Sequence, residues 1–253
     1  MTSFGTATIV SACSFGTGIA GMLLHTRLPA HHVDEGSKDV IKLIMSLIAT
    51  MAALVLSLLI ASASNSYEAQ QSELQSMSAN VVLLDRTLAF YGPEAQAARE
   101  RLHGAVAEIH DHIWPPEGAG QSNLDPRATQ RGSGAFVEQL RNLKPATDSQ
   151  RMLLTQAMQV GQGIGQMRLL MFEQHGTSIS WPFLTVMVFW ICMLFLGFGL
   201  FARFNATVTV ALLIGALSVG GAIFLILELS QPYDGFMRIS DAPLVDALSQ
   251  IGQ

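Results

Sequence analysis

From Ser37 to Tyr91 the chain contains neither glycine nor proline. Nothing in that stretch breaks a helix, and at ~1.5 Å rise per residue one helix through it would be ~80 Å long. Its first half, Leu43 to Tyr67, carries no charged residue, and it exceeds the ~20 apolar residues needed to cross ~30 Å of hydrocarbon. Its second half turns polar at Glu68, Gln70, Gln71, Glu73 and Gln75. An apolar heptad nevertheless continues there: Tyr67, Leu74, Val81 and Leu88 recur every seventh position, with Met77, Leu84 and Tyr91 offset by three. Such a stripe calls for an apolar partner. The stretch therefore predicts one helix that spans a membrane and then projects from it.

Only 13% of the residues are charged, against about a quarter in a soluble domain. Four segments lack charge over a spanning length: Met1–Leu24, Leu43–Tyr67, Gly176–Ala202 and Asn205–Leu227. The first does not read as a secretory signal, having no Lys or Arg ahead of its apolar run and no defined cleavage site. The expected fold is all-α: a polytopic membrane protein with four transmembrane helices and a helical extramembrane domain between spans 2 and 3. Expected boundaries are 1–67 for spans 1 and 2, 68–178 for the domain, 179–230 for spans 3 and 4, and 231–253 for a tail.

Span 1 holds Ser14 and Gly18, a small-xxx-small pair suited to close helix approach. Ser37 reads as the N-cap of the long helix, which Gly92-Pro93 ends. A helix over Glu94–Trp114 follows, with Leu102, Ala105, Ile109 and Ile113 on one face. Glu117–Ser133 reads as a surface loop and Ala135–Leu143 as a short helix. Thr147 and Gln150 have capping-box spacing for a helix starting near Asp148, softened at Gly161, Gly163 and Gly165. Trp181-Pro182 opens span 3, with the Trp at interface level. Spans 3 and 4 are expected to form an antiparallel pair. Beyond a turn at Pro232–Gly235, Leu244, Val245, Leu248 and Ile251 suggest a short amphipathic helix.

Few residues suggest chemistry. Cys13 and Cys192 lie inside spans, so neither a disulfide framework nor a cysteine metal site is available. His103 and His110, near Glu100, Asp111 and His112, lack the i,i+4 spacing of a tight helical metal pair. Gly161-x-Gly163-x-Gly165 follows a helical pattern, without the Lys-Ser/Thr of a phosphate loop. No nucleophile motif appears, so an enzyme is not expected and no cofactor or metal is implied. A net charge of −5 without a basic block leaves no footprint for nucleic acid.

Span 2 carries a small, weakly polar stripe, Ser46, Thr50, Ala53, Ser57, Ala61 and Ser64, at helical spacing. Two readings stay open: a surface for close helix packing, or, with Ile60, the lining of a pore built from symmetry-related copies. Asp85 and Arg86 interrupt the apolar stripe but point ~100° apart on a helix, so they do not pair with each other. Asp85 needs Arg99, Arg101 or another chain, or it lines a vestibule with Arg86. Glu228 is the acid at the end of span 4, a functional candidate by position or a partner for Arg238.

Several of these residues also carry a resemblance. Ala61-Ser62-Ala63 leading to Ser66-Tyr67, Leu84-Asp85-Arg86-Thr87-Leu88-Ala89, Tyr91-Gly92-Pro93-Glu94, Trp114-Pro115, and Glu228-Leu229 with Pro232 and Gly235 together resemble the bacterial bestrophin-like membrane proteins. Through true bestrophins, which are pentameric anion channels, the resemblance implies a homo-oligomer, five copies being the implied number, in a bacterial cytoplasmic membrane, with lipid and inorganic ions as partners. It also implies a bulky apolar pore neck. Span 2 has no aromatic residue between Leu43 and Ser66, so the neck candidates are Leu56, Leu59 and Ile60. No acidic calcium clasp maps onto this chain.

Arg27, Lys38, Lys42 and Arg203 lie in the two short connections. The positive-inside rule puts those connections in the cytoplasm and the central domain outside, whereas the resemblance implies the reverse. Two functions follow: a homo-oligomeric, anion-conducting channel lined by span 2, or a non-conducting scaffold or sensor assembled through the projecting helix.

Overall fold

The structure, a computed structural model, describes residues 3–27, 35–115, 134, 136–174, 181–202, 204–233 and 235–251. The described residues are mostly helical and contain no strand. Among the described residues eight α-helices follow in order: α1 Ser3–Arg27, α2 Glu35–Tyr91, α3 Gln96–Ile113, α4 over 136–142, α5 Asp148–Gln174, α6 Trp181–Phe201, α7 Ala206–Leu229 and α8 Ala242–Gln250. The long helix α2 has 57 residues. It begins at Glu35, so Ser37 lies inside its first turn and is not its cap. Gly36 is tolerated there because the first N–H groups of a helix have no intrahelical partner to lose. Four helices, α1, α2, α6 and α7, are long and apolar enough to cross a membrane. The chain is a multi-pass membrane protein.

Two compact units divide the chain, Met1–Ser66 with Ser178–Ser230, and Tyr67–Thr177 with Gln231–Gln253. In the first unit the closest backbone packing is of α1 on α6 and of α1 on α7. α6 and α7 meet as expected, the Phe195 ring of α6 lying over Gly215 of α7, and α1 packs closely on both. Its small residues explain this. Ser14, Gly18 and Gly21 are buried, and a Cβ added at Gly199 of α6 would collide with the Gly18 carbonyl oxygen. Without a water-driven hydrophobic effect between spans, such close backbone approach is how membrane helices gain dispersion contact. Met22, Met187, Ile191, Phe195, Leu212 and Ala216 fill the space beside the glycine contact. The Asn205 side chain caps α7 by accepting from Thr207 N–H at 3.3 Å.

The described residues of the second unit share an apolar core. Leu74, Met77, Val81, Leu84, Leu88 and Tyr91 of α2 are all at most 3% exposed within it. The heptad stripe thus packs against its own chain, on Ala98, Leu102, Val106 and Ile113 of α3, Phe136 and Leu140 of α4 and Ala157 of α5. Of the two partners open to the stripe, its own chain or another, the buried face is covered by its own. A short antiparallel return satisfies the same periodicity at a lower ordering cost than a second molecule.

Helix ends in this unit are fixed by specific contacts. Gly92, at φ 123°, takes a backbone conformation that side-chain-bearing residues rarely adopt, and it stops α2. The expected helix from Glu94 accordingly starts as a 3-10 turn, Pro93–Ala95, with Ala95 N–H donating to Gly92 O at 3.1 Å, before α3 proper. The Thr147–Gln150 capping box forms: Gln150 N–H donates to Thr147 Oγ1 at 3.2 Å and Gln150 Oε1 accepts from Thr147 N–H at 3.4 Å. Gln150 Nε2 also donates to Tyr91 O at 3.1 Å, tying the start of α5 to the end of α2. α5 runs unbroken through Gly161, Gly163 and Gly165.

The tail returns to the second unit. Trp114 Nε1 donates to Ile239 O at 3.1 Å, and the Trp114 ring meets Tyr233 edge-on. Leu244, Ala247 and Ile251 are the buried residues of α8 and its end, while Val245, expected on that face, points outward. Tyr233 is almost fully buried, and burial, with the Glu73 charge adding, raises its pKa above the ordinary phenol value. A raised Tyr pKa contributes stability that is whole below the unfolded value near 10 and is lost as pH rises towards the folded one. Thermal unfolding followed from pH 9 to pH 11 should show a falling midpoint in the wild type and a flatter profile in Tyr233→Phe. Equal slopes would contradict this assignment.

The predicted loop Glu117–Ser133 and the Trp181 side chain lie outside the described residues, as do the connection 28–34 and Arg203.

Candidate functional site

The sequence candidates fall into two places, the membrane half of α2 and the charged positions. In the most apolar window of α2 only 11% of the residues are buried, against 33% in α1 and α6 and 28% in α7. Its packed face is narrow. Met45 lies over Gly197 of α6, and Val55 and Leu56 pack on the cluster around Met22 and Met187. Ala52 and Ala63 are buried as well. At 100° per residue these positions share one side of the helix.

Ser46, Thr50, Ala53 and Ser57 stand on the exposed surface beside that face, and Leu59 and Ile60 are half-buried at its edges. The Thr50 hydroxyl donates to Ser46 O at 2.9 Å, leaving its oxygen lone pairs outward. Ser46 also lines a cavity of about 410 Å³ with Lys42, Met45, Ala49, Phe198 and Phe201. Leu56, one of the neck candidates, is turned towards its own helices.

A set of residues not singled out in the sequence occupies the fully outward side. Leu43, Leu47, Leu54 and Leu58 are 63–71% exposed. Their 4-7-4 spacing was the available signal. It is hidden in a segment where nearly every residue is apolar, so periodicity alone does not separate faces.

Asp85 is paired with Arg99, one of the partners expected for it. Arg99 Nε and Nη2 donate to the two carboxylate oxygens at 2.9 and 2.8 Å, a bidentate fork. Both side chains are largely buried, 4% and 11% exposed. Its hydrogen bonds to Asp85 hold the Arg99 pKa above the ordinary guanidinium value, against the opposing effect of desolvation. Arg86 points away into an exposed position, so the two adjacent charges do separate as the helical angle requires. Glu228 lies within α7 and is 2% exposed. The first unit thus contains a buried carboxyl near the end of a span.

His103 and His110 do not converge. His103 is exposed, whereas His110 stacks on Trp114, with Nδ1 3.2 Å from Asp111 and Nε2 3.2 Å from Asp241. Among the described residues no three His, Cys, Asp or Glu side chains are placed to hold a metal. The geometry offers apolar helix surface, small hydroxyls and the buried Asp85–Arg99 ion pair.

Neither the curated proteins nor the solved structures give a significant match to this chain. The family model of the bestrophin-like domain matches residues 12–244. With four spanning helices, the separate helical unit and a match running almost end to end, the chain belongs to the bestrophin-like family.

Proposed function

We propose that the chain is one subunit of a homo-oligomeric ion channel, conducting anions, in which the membrane halves of several α2 helices surround the conduction path. The observation that carries this reading is the low self-burial of α2, the least covered of the four spans. Lipid could cover such a helix, but its small hydroxyl-bearing stripe would gain nothing there. Facing an axis, Ser46, Thr50, Ala53 and Ser57 supply hydroxyl oxygens and narrow side chains to a hydrated path. Ile60, half-buried at the edge of the packed face beside that stripe, supplies the apolar constriction. Family membership in the bestrophin-like group supports the channel class. Asp85, paired and enclosed, acts as scaffold rather than vestibule; Arg86 is the charge left outward.

The scaffold reading loses its main support, because the heptad stripe that motivated it is occupied within its own chain. It retains only the exposed surface of α2.

The purified protein reconstituted in liposomes should pass chloride above the rate of empty vesicles, and native mass measurement should give an oligomer. A clean monomer, or an oligomer without flux, would overturn the channel. Sidedness is tested in the same protein. By the charge count the second unit lies outside, so a cysteine at the exposed position Gln159 on α5 should react with an impermeant thiol reagent in intact cells. Protection until the cells are opened would place that unit in the cytoplasm.

A further inference from the structure

Span 4 leads directly into the tail. With 24 residues, α7 rises ~36 Å, more than the ~30 Å of hydrocarbon it has to cross. Polar residues bracket it, Asn205 at its start and Ser230 and Gln231 after its end. Leu229 therefore lies at or just beyond the hydrocarbon boundary. From Leu229 to Pro232, at ~3.5 Å per residue, the chain reaches at most ~11 Å. The segment that begins at Pro232 is thus tethered close to the lipid headgroups.

That segment is a closed loop. Ile239 N–H donates to Pro232 O at 2.7 Å, and Trp114 Nε1 donates to Ile239 O at 3.1 Å. Tyr233 is 1% and Ile239 2% exposed, so both feet of the loop are set in the core of the second unit. Between them Gly235 takes φ 91°, a left-handed conformation that favours glycine.

The tip has the opposite character. Gly235, Phe236, Met237 and Arg238 are all exposed. Phe236 is 88% exposed, the highest value of any large apolar side chain among the described residues, above the 63–71% of the outward leucines of α2. A single exposed apolar residue is ordinary on a protein surface. Here two stand side by side on a loop with buried feet, a few residues beyond the end of a span. Apolar side chains held in that place can enter the boundary between headgroups and acyl chains.

Charge is not what draws the loop to lipid. The eight residues Pro232–Ile239 contain one acid, Asp234, and one base, Arg238. The long Arg238 stem can lie along acyl chains and carry its guanidinium up to the phosphates.

We propose that the loop Pro232–Ile239 is a membrane-interface anchor, Phe236 and Met237 entering the bilayer at the headgroup–acyl boundary and holding the tail to the lipid surface at the end of α7. The anchor is independent of the channel reading and stands or falls without it.

The test uses the full-length protein lacking Cys13 and Cys192, with Phe236→Cys or Gln159→Cys carrying an environment-sensitive fluorophore, in nanodiscs of phosphatidylcholine alone. Gln159, exposed on α5, reports whether the fluorophore inserts by itself. A nitroxide placed high on the lipid acyl chain should quench position 236 about threefold more than position 159, and aqueous iodide should do the reverse. Equal quenching at the two positions would overturn the anchor. Protection of position 236 from nitroxide and iodide alike would also overturn it, giving the tip a protein partner instead. Lipid quenching that appears only after anionic lipid is added would overturn the apolar mechanism. In the unlabelled wild type, a lipid bearing a carbene precursor near its headgroup should crosslink within 232–239 on illumination. Phe236→Asp should lose that adduct and keep the wild-type thermal midpoint, since the side chain is exposed. An adduct unchanged in Phe236→Asp would contradict the anchor.

Discussion

Replacing Asp85 by alanine is expected to cost the second unit about 3–5 kcal/mol. The fork from Arg99 to Asp85 lies between α2 and α3, with both side chains nearly closed off from water. Removing the carboxylate does more than delete two hydrogen bonds. It takes the bidentate carboxylate from a largely buried guanidinium, and that penalty exceeds the net worth of the pair. The same reasoning predicts partial recovery in Asp85→Ala/Arg99→Met, where no charge is left buried. Denaturant unfolding in detergent, read by the fluorescence of Trp114, which packs on Tyr233 in the same unit, measures all three variants. Asp85→Ala within about 0.5 kcal/mol of wild type would be the behaviour of an exposed surface pair and would contradict the burial described here.

The second large effect is expected in the membrane unit. Gly199→Leu introduces a side chain where a single Cβ already collides with the Gly18 carbonyl oxygen. The neighbour is backbone, so no rotamer change relieves the clash and α1 must move off α6. Overpacking in a filled core costs ~1–3 kcal/mol and sometimes more. Here the displaced partner is the helix that also holds α7, so a loss on the order of 3 kcal/mol or more is expected. Gly163→Leu on α5 is the control: a Cβ there meets nothing within 4 Å, and the change should be neutral or slightly stabilising. Melting curves of the two variants should differ by many degrees. If both melt with the wild type, the close α1–α6 contact is wrong.

Helix identity was legible in the sequence wherever a segment was long and uniform. The glycine- and proline-free run became a 57-residue helix, and the Thr147–Gln150 spacing became a formed cap. Partner choice was far less legible. The heptad from Leu74 to Tyr91 specifies an apolar neighbour but says nothing of whose chain supplies it, and α3, α4, α5 and the tail proved to supply it. Likewise the short connection between spans 3 and 4 pointed to their contact, but nothing in it told that the glycines of α1 and α6 bring those two backbones together. Asp85 could be assigned because charge complementarity left few partners. In span 2 the small stripe was visible, but the outward leucines were not. Every face there is apolar, and hydrophobic contrast, the quantity that periodicity reads, is nearly absent.

The central claim is that the exposed small stripe of α2 meets water and ions. It is tested most directly by Ser57→Cys in a protein lacking Cys13 and Cys192, reconstituted in liposomes and exposed to a charged, water-soluble thiol reagent during chloride flux. The account predicts that Ser57→Cys reacts and that flux falls, while Leu43→Cys on the outward leucine row reacts more slowly. A Ser57→Cys protein that conducts and stays unmodified would put the stripe in lipid or helix packing, and the conduction path elsewhere.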